Sequence, residues 1–195
     1  MPKRLHRKIE RQERILSILA DLTYATSEHL RGLINIGGDR NARRILHEME
    51  KDGLIRSLRQ LSKVYFLSGK GGDLIGKSNP RLNGAEIDHC LIRNDLRAEL
   101  EYPNDWRNEV AIKINGETSL IADAVFTRGG WLHFVEVDNR ATMATNYKKI
   151  DRYARLFERI NKPAVLVFYT RIKSRRNLLR KHAEKCGINI RLDFP

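Results

Sequence analysis

Apolar residues recur at three- and four-residue steps through the first fifty positions of the chain, and at two-residue steps through much of its second half. Ile15, Leu16, Ile18, Leu19 and Leu22 form one helical stripe. Leu30, Leu33 and Ile34 form a second, which either Thr26 or Ser27 can cap. A break at Ile36-Gly37-Gly38 precedes a third stripe, Ala42, Ile45, Leu46 and Met49, which Asp39 can cap and Gly53 can stop. Residues 54–58 and 64–67 have strand composition about a polar turn at 59–62. Farther on, 87–100 reads as a helix ended by Tyr102-Pro103, and 106–114 as a strand followed by an Asn115-Gly116 hairpin turn. Residues 119–126 and 131–138 are strands around Gly129-Gly130. A helix over 143–160 bears Tyr147, Ile150, Tyr153, Leu156 and Phe157 on its apolar side. The run 164–169 is a buried strand, Ser174 can cap a last helix through Cys186 with Gly187 as its stop, and 188–194 makes the final strand.

These patterns predict two domains, 1–67 and 85–195, joined by a glycine-rich polar linker at 68–84. Three helices closed by a hairpin make a winged helix-turn-helix, whose third helix is the recognition element. Opposite its apolar stripe lie Arg40, Asn41, Arg43, Arg44 and His47, residue types that suit phosphates and base edges. The hairpin adds Arg56, Arg59 and Lys63, where a wing would touch backbone or minor groove. The second domain follows the order α-β-β-β-α-β-α-β, a mixed sheet flanked by helices, so the expected class is α+β or α/β.

Charge sharpens this picture. The 195 residues carry a formal net charge of +13, with lysine and arginine spread from end to end. Such a chain fits a polyanionic partner, double-stranded DNA above all; the alternative is a basic surface that only solvates the fold. No stretch approaches the 18–20 apolar residues that would cross a bilayer, which argues against a membrane partner. The start, MPKRLHRKIERQER, leads into an amphipathic pattern rather than a signal peptide, so a cytoplasmic location is expected. Cys90 and Cys186 lie in helical patterns without a partner at metal-ligand spacing and read as ordinary reduced thiols.

Gly71 to Ser78, GGDLIGKS, fits the phosphate-cradling pattern G-x-x-x-x-G-K-[ST]. That loop works only when its lysine opens a helix packed on a parallel sheet. Here Asn79-Pro80-Arg81-Leu82-Asn83-Gly84 follows, so no nucleotide cofactor is expected.

The chemistry concentrates at 118–149. Asp123 interrupts one apolar strand; Glu136 and Asp138 interrupt the next and share one face two residues apart. Carboxylates are costly in half-buried strands unless a cation, a donor network or solvent receives them. Three near neighbouring strand ends, with Lys148 and Lys149 close by, could hold Mg²⁺ for phosphodiester chemistry. They could equally pair with Arg128, Arg140, Lys148 or Arg152 in an ion network. His133 falls on the opposite face and reads as structural, and Tyr153 as support rather than nucleophile.

The α-β-β-β-α-β core, with Asp123 on its second strand and Glu136 on its third, resembles the PD-(D/E)XK nuclease-like fold. Ala122 precedes the aspartate where that motif has proline, and Asp138 stands where it has lysine. Lys149 on the following helix is the candidate replacement. Nearly the whole chain also resembles the replication-relaxation family of plasmids and integrative elements, through Asp123-Ala124, Glu136-Val137-Asp138 and Lys149-Ile150-Asp151-Arg152-Tyr153. This resemblance implies a DNA-binding accessory of plasmid replication, relaxation or conjugative transfer, partnered by a relaxase or replication protein. It leaves open an active endonuclease, with Asp123, Glu136 and Lys149 catalytic and Asp123, Glu136 and Asp138 around Mg²⁺. It also leaves open a transcriptional regulator whose second domain senses a ligand or forms a homodimer.

Overall fold

A computed structural model of the protein describes residues 3–114 and 117–192. The chain divides into two compact units, Met1–Ala98 and Glu99–Pro195. Together they form a mixed α+β protein with, among the described residues, seven helices, a mixed five-stranded sheet and a small antiparallel sheet.

The first unit contains α1 (Lys3–Leu22), β1 (Ala25–Thr26), α2 (Ser27–Leu33), α3 (Asp39–Lys51), β2 (Ile55–Arg59), β3 (Lys63–Leu67), α4 (Gly69–Ile75) and α5 (Gly84–Glu99). The three sequence-predicted stripes meet in one core, where Ile15, Leu19, Leu30, Ile45 and Leu46 are almost fully buried. Thr26 caps α2 through a reciprocal box with His29: its hydroxyl accepts from the His29 amide, while its own amide donates to the imidazole. Asp39 does not cap α3. It is the first helical residue, and Gly38 holds the N-cap with no side-chain bond. β3 lies between β1 and β2 in an antiparallel sheet, with Arg59 opposite Lys63 at the hairpin's end.

Within 68–84 a short helix, α4, stands where the composition pointed to loop. Ser68 caps it, accepting from the Gly71 amide and donating to the carbonyl oxygens of Gly53 and Leu54. A Cβ on Gly71 would sit 1.9 Å from the Leu54 carbonyl oxygen, and one on Gly72 would sit 2.2 Å from that of Lys77. Gly76 then ends the helix in the left-handed conformation, φ 63°. Gly71 and Gly72 thus serve close packing and Gly76 the left-handed turn, and the segment closes a helix rather than opening one. α5 belongs to the first unit: Asn94 donates to the carbonyls of Leu22 and Tyr24, Arg97 pairs with Asp21, and Asp95 with His29.

The second unit contains β4 (Arg107–Ile114), β5 (Glu117–Arg128), β6 (Trp131–Asp138), α6 (Met143–Phe157), β7 (Ala164–Thr170), α7 (Lys173–Lys185) and β8 (Ile190–Arg191). The sheet order is β4-β5-β6-β7-β8, antiparallel up to β6 and parallel beyond it. Ile150, Tyr153 and Leu156 of α6 and Leu179 and Ala183 of α7 join Ala122, Phe134, Leu166 and Phe168 in its core. α7 starts one residue before Ser174, with Ile172 at its N-cap and no side-chain cap bond. The Asn115-Gly116 turn and residues 193–194 of the final strand lie outside the described residues.

Candidate nucleic-acid interface and carboxylate site

α3 is sharply two-sided. Ala42, Ile45, Leu46 and Met49 are buried, whereas Arg40, Asn41, Arg43, Arg44 and His47 are all exposed. The same periodicity produces both faces: each core residue three or four steps from the next leaves the intervening cations outward. Arg43 pairs with Asp39 at 2.8 Å and Arg44 with Glu48, four residues along in each case. Exposed pairs of this kind are worth at most about 1 kcal/mol, so a phosphate can displace them. Asn41 is differently placed. Its amide donates to the Ile36 carbonyl at 2.7 Å and its oxygen accepts from Arg44, so it supports the turn into α3.

The hairpin residues separate by strand alternation. Arg59 and Lys63 line one open groove of about 590 Å³ with Arg31, Arg43, Asp39 and Tyr65. Arg56 lines another, with Tyr24, Phe66, Lys77 and Arg81. Lys63 also donates to Glu50 at 2.7 Å. Burial pushes the Glu50 carboxyl upward, but the bonds from Lys63 and Ser57 outweigh it and hold the group below the usual carboxylate range. Arg31 was not among the sequence candidates, because α2 shows no separate basic stripe.

In the second unit the β5–β6 ladder ends at the pair Ala124–Val135. Beyond it, the Val137 amide donates to Asp123 Oδ2 at 2.7 Å, so a side-chain carboxylate takes the place of a strand carbonyl. Glu136 is 1% exposed. Its Oε1 accepts from the Tyr153 hydroxyl at 2.6 Å, and its Oε2 from the Lys149 ammonium. Lys149 and Tyr153, four residues apart, reach it from one face of α6.

Burial, reinforced by the nearby Asp123 charge, pushes the Glu136 carboxyl up to about 7 against the pull of Lys149 and Tyr153. Burial works against a charged Lys149, but Glu136 and then Asp123 prevail and hold its pKa above the ordinary lysine value. Burial and Glu136 together push the Tyr153 phenol far up, so it stays a hydrogen-bond donor. Glu136 and Asp123 thus both act on the Lys149 ammonium and favour its charged form.

Asp138 shares a strand face with Glu136 but turns to another partner. Arg175, near the start of α7, donates to both of its oxygens, at 2.9 and 2.7 Å, and also to the Ala141 carbonyl. Thr170 donates to Asp138 as well. Asp123, Glu136 and Lys149 thus come together, and Asp138 is held apart in an ion pair. The expected network partners Arg128, Arg140, Lys148 and Arg152 do not include Arg175, which lies 37 residues from Asp138. One signal could have found it: parallel crossovers bring helix starts to the carboxyl ends of strands, and β6 and β7 end at Asp138 and Thr170. Lys148 is exposed, while Lys149 reaches Glu136. His133 stacks on Phe126 at 4.4 Å and bonds the Trp131 carbonyl through Nδ1; burial lowers its pKa.

No helix among the described residues is long and apolar enough to cross a membrane. Neither the curated proteins nor the solved structures give a match to the chain. Residues 16–168, from the buried stripe of α1 to Phe168 on β7, match the sequence profile described as replication-relaxation. With more than half of its length matched, the chain belongs to the replication-relaxation family.

Proposed function

We propose that this protein is a DNA-binding accessory of a mobile genetic element, acting in its replication, relaxation or conjugative transfer. The observation that carries the reading is the exposed cationic face of α3 over a fully apolar core face. In this reading α1 to β3 are a winged helix-turn-helix: α3 enters the major groove and the β2–β3 hairpin rides the backbone. Arg40, Arg43, Arg44 and His47 contact phosphates and base edges, and Arg31, Arg59 and Lys63 extend the contact along the adjoining groove. The second unit is a PD-(D/E)XK-like domain that adds DNA contact or docks a relaxase or replication protein. Fluorescence anisotropy with duplex DNA tests this, because each neutralised phosphate adds about 0.9 to the log–log salt slope. Affinity that barely changed between low and moderate salt would end the proposal.

A second reading, a Mg²⁺-dependent DNA endonuclease, is favoured by one arrangement: Asp123, Glu136 and Lys149 in a single cluster. The donor set fits such an ion, since Asp123 and Glu136 offer the hard carboxylate oxygens that Mg²⁺ takes as ligands. Asp138 does not fit, because Arg175 already neutralises it. Asp123 and Glu136 would hold the Mg²⁺, whose chemistry there would be to polarise a scissile phosphate and acidify a water. Lys149 supplies positive charge for the oxygens of the reacting phosphate, and Tyr153 holds Glu136 in place. Plasmid nicking with Mg²⁺ or Mn²⁺ decides the matter: Asp123→Ala and Glu136→Ala each abolish it. Undiminished nicking by both variants would show that the cutting belongs to a contaminant.

A further inference from the structure

Asp151, His182 and Cys186 form a second polar cluster, remote in chemistry from the carboxylates above. His182 and Cys186 are four residues apart at the end of α7 and so share a face. Asp151 meets them from α6. His182 Nε2 lies 2.7 Å from Asp151 Oδ1, and Cys186 Sγ donates to the same oxygen at 3.4 Å. One ligand atom from each residue lies within 4.8 Å of the other two.

We propose that these three residues bind Zn²⁺ and that the ion ties α6 to α7. Tetrahedral zinc, with bonds of about 2.0–2.1 Å to nitrogen or oxygen and about 2.3 Å to sulfur, sets its ligand atoms roughly 3.3–3.7 Å apart. The cluster needs only small side-chain adjustments to reach that spacing. The donor set selects the metal: imidazole and thiolate favour zinc over the oxygen-seeking Mg²⁺ and Ca²⁺. All three residues are partly exposed, so an ion can enter. A ring already stands where an orienting neighbour is needed, because Tyr147 stacks on His182 with centroids 4.3 Å apart and planes 21° from parallel. In the ion-free form a single carboxylate oxygen gathers the two partners through their protons. Zinc takes the place of those protons: the Nε2 proton of His182 passes through solvent to Nδ1, which frees the Nε2 lone pair for the ion, and the Cys186 thiol proton leaves to solvent. A solvent water completes the tetrahedron.

The site escapes a motif search because its third ligand sits 31 residues before His182, on a separate helix. Its consequence follows from α6 itself. The helix that presents Asp151 to the ion presents Lys149 and Tyr153 to Glu136, so zinc fixes the helix that carries both groups.

The test uses the full chain, untagged and stripped of metal, titrated with Co²⁺ and then Zn²⁺. The wild type is expected to develop a thiolate-to-cobalt charge-transfer band and tetrahedral visible bands, which Zn²⁺ bleaches, and to melt at higher temperature with Zn²⁺. Cys186→Ser loses the charge-transfer band. His182→Ala and Asp151→Asn weaken Zn²⁺ binding at least about tenfold, and Cys90→Ser changes nothing. Asp151→Asn keeps an acceptor for both neighbours, so its metal-free melting matches the wild type and separates ligand loss from misfolding. A wild-type titration without the thiolate band would overturn the proposal. So would equal Zn²⁺ affinity in the wild type, His182→Ala and Asp151→Asn.

Discussion

Replacing Glu136 by glutamine removes one charge from a site with almost no solvent and leaves the shape nearly unchanged. The wild-type carboxyl moves from an ordinary 4.5 to about 7 on folding, mainly because burial penalises its charged form and Asp123 adds repulsion. The native state therefore holds this proton more tightly than the unfolded chain does. The stability tied to it is complete below pH 4.5 and is lost as pH rises through 7. The shift corresponds to about 3 kcal/mol. Other titrating groups largely cancel when the variant is compared with the wild type at each pH. The unfolding free energy of Glu136→Gln minus that of the wild type is thus expected to climb by about 3 kcal/mol between pH 4.5 and pH 8, in favour of glutamine. Urea unfolding followed by tryptophan fluorescence measures it directly, since Trp106 and Trp131 both report on the second unit. A difference that stays flat with pH, or that shrinks as pH rises, would refute the burial argument.

Two further substitutions probe packing and pairing. Gly71→Ala drives a methyl into the Leu54 carbonyl and should cost at least about 3 kcal/mol or prevent folding, whereas at Gly69 a Cβ meets nothing within 4 Å and the change should be neutral or slightly stabilising; thermal melts of the two variants make the comparison. Arg175→Ala removes the guanidinium from the buried Asp138 carboxylate, leaving it the Thr170 hydroxyl and the more distant Lys149 charge, and should cost about 3 kcal/mol at neutral pH, much of it recovered on adding Asp138→Asn; denaturant titration of the single and double variants checks both signs.

The elements of this fold were legible where one period ran long enough to dominate. The stripes of α1 and α3 and the alternation of β5 and β6 needed only the chain itself, because burial of one face is a local pattern. What lay hidden was partnership. α5 announces a helix, but Asn94 and Arg97, which join it to Leu22, Tyr24 and Asp21, gave no sign of which unit they serve. α4 was masked by composition, since glycines that permit close approach look the same in sequence as glycines that loosen a loop. The same limit applied to the carboxylates. Alternation placed Glu136 and Asp138 on one face, and helical spacing brought Lys149 and Tyr153 together. That Asp138 turns to Arg175 depends on the crossover into α7, a feature of the sheet order rather than of any short motif.

The DNA-binding claim depends on α3, and one measurement reaches it most directly: duplex affinity against salt for the wild type and for the Arg40→Ala/Arg43→Ala/Arg44→Ala variant. These side chains are exposed, Arg43 and Arg44 make surface ion pairs, and Arg44 adds one exposed bond to Asn41, so the variant should fold with nearly unchanged stability. It is expected to bind more weakly at every salt concentration, with a log–log slope shallower by about 0.9 for each phosphate that it no longer neutralises. Equal affinity and an equal slope in the two proteins would show that the basic face of α3 does not meet DNA.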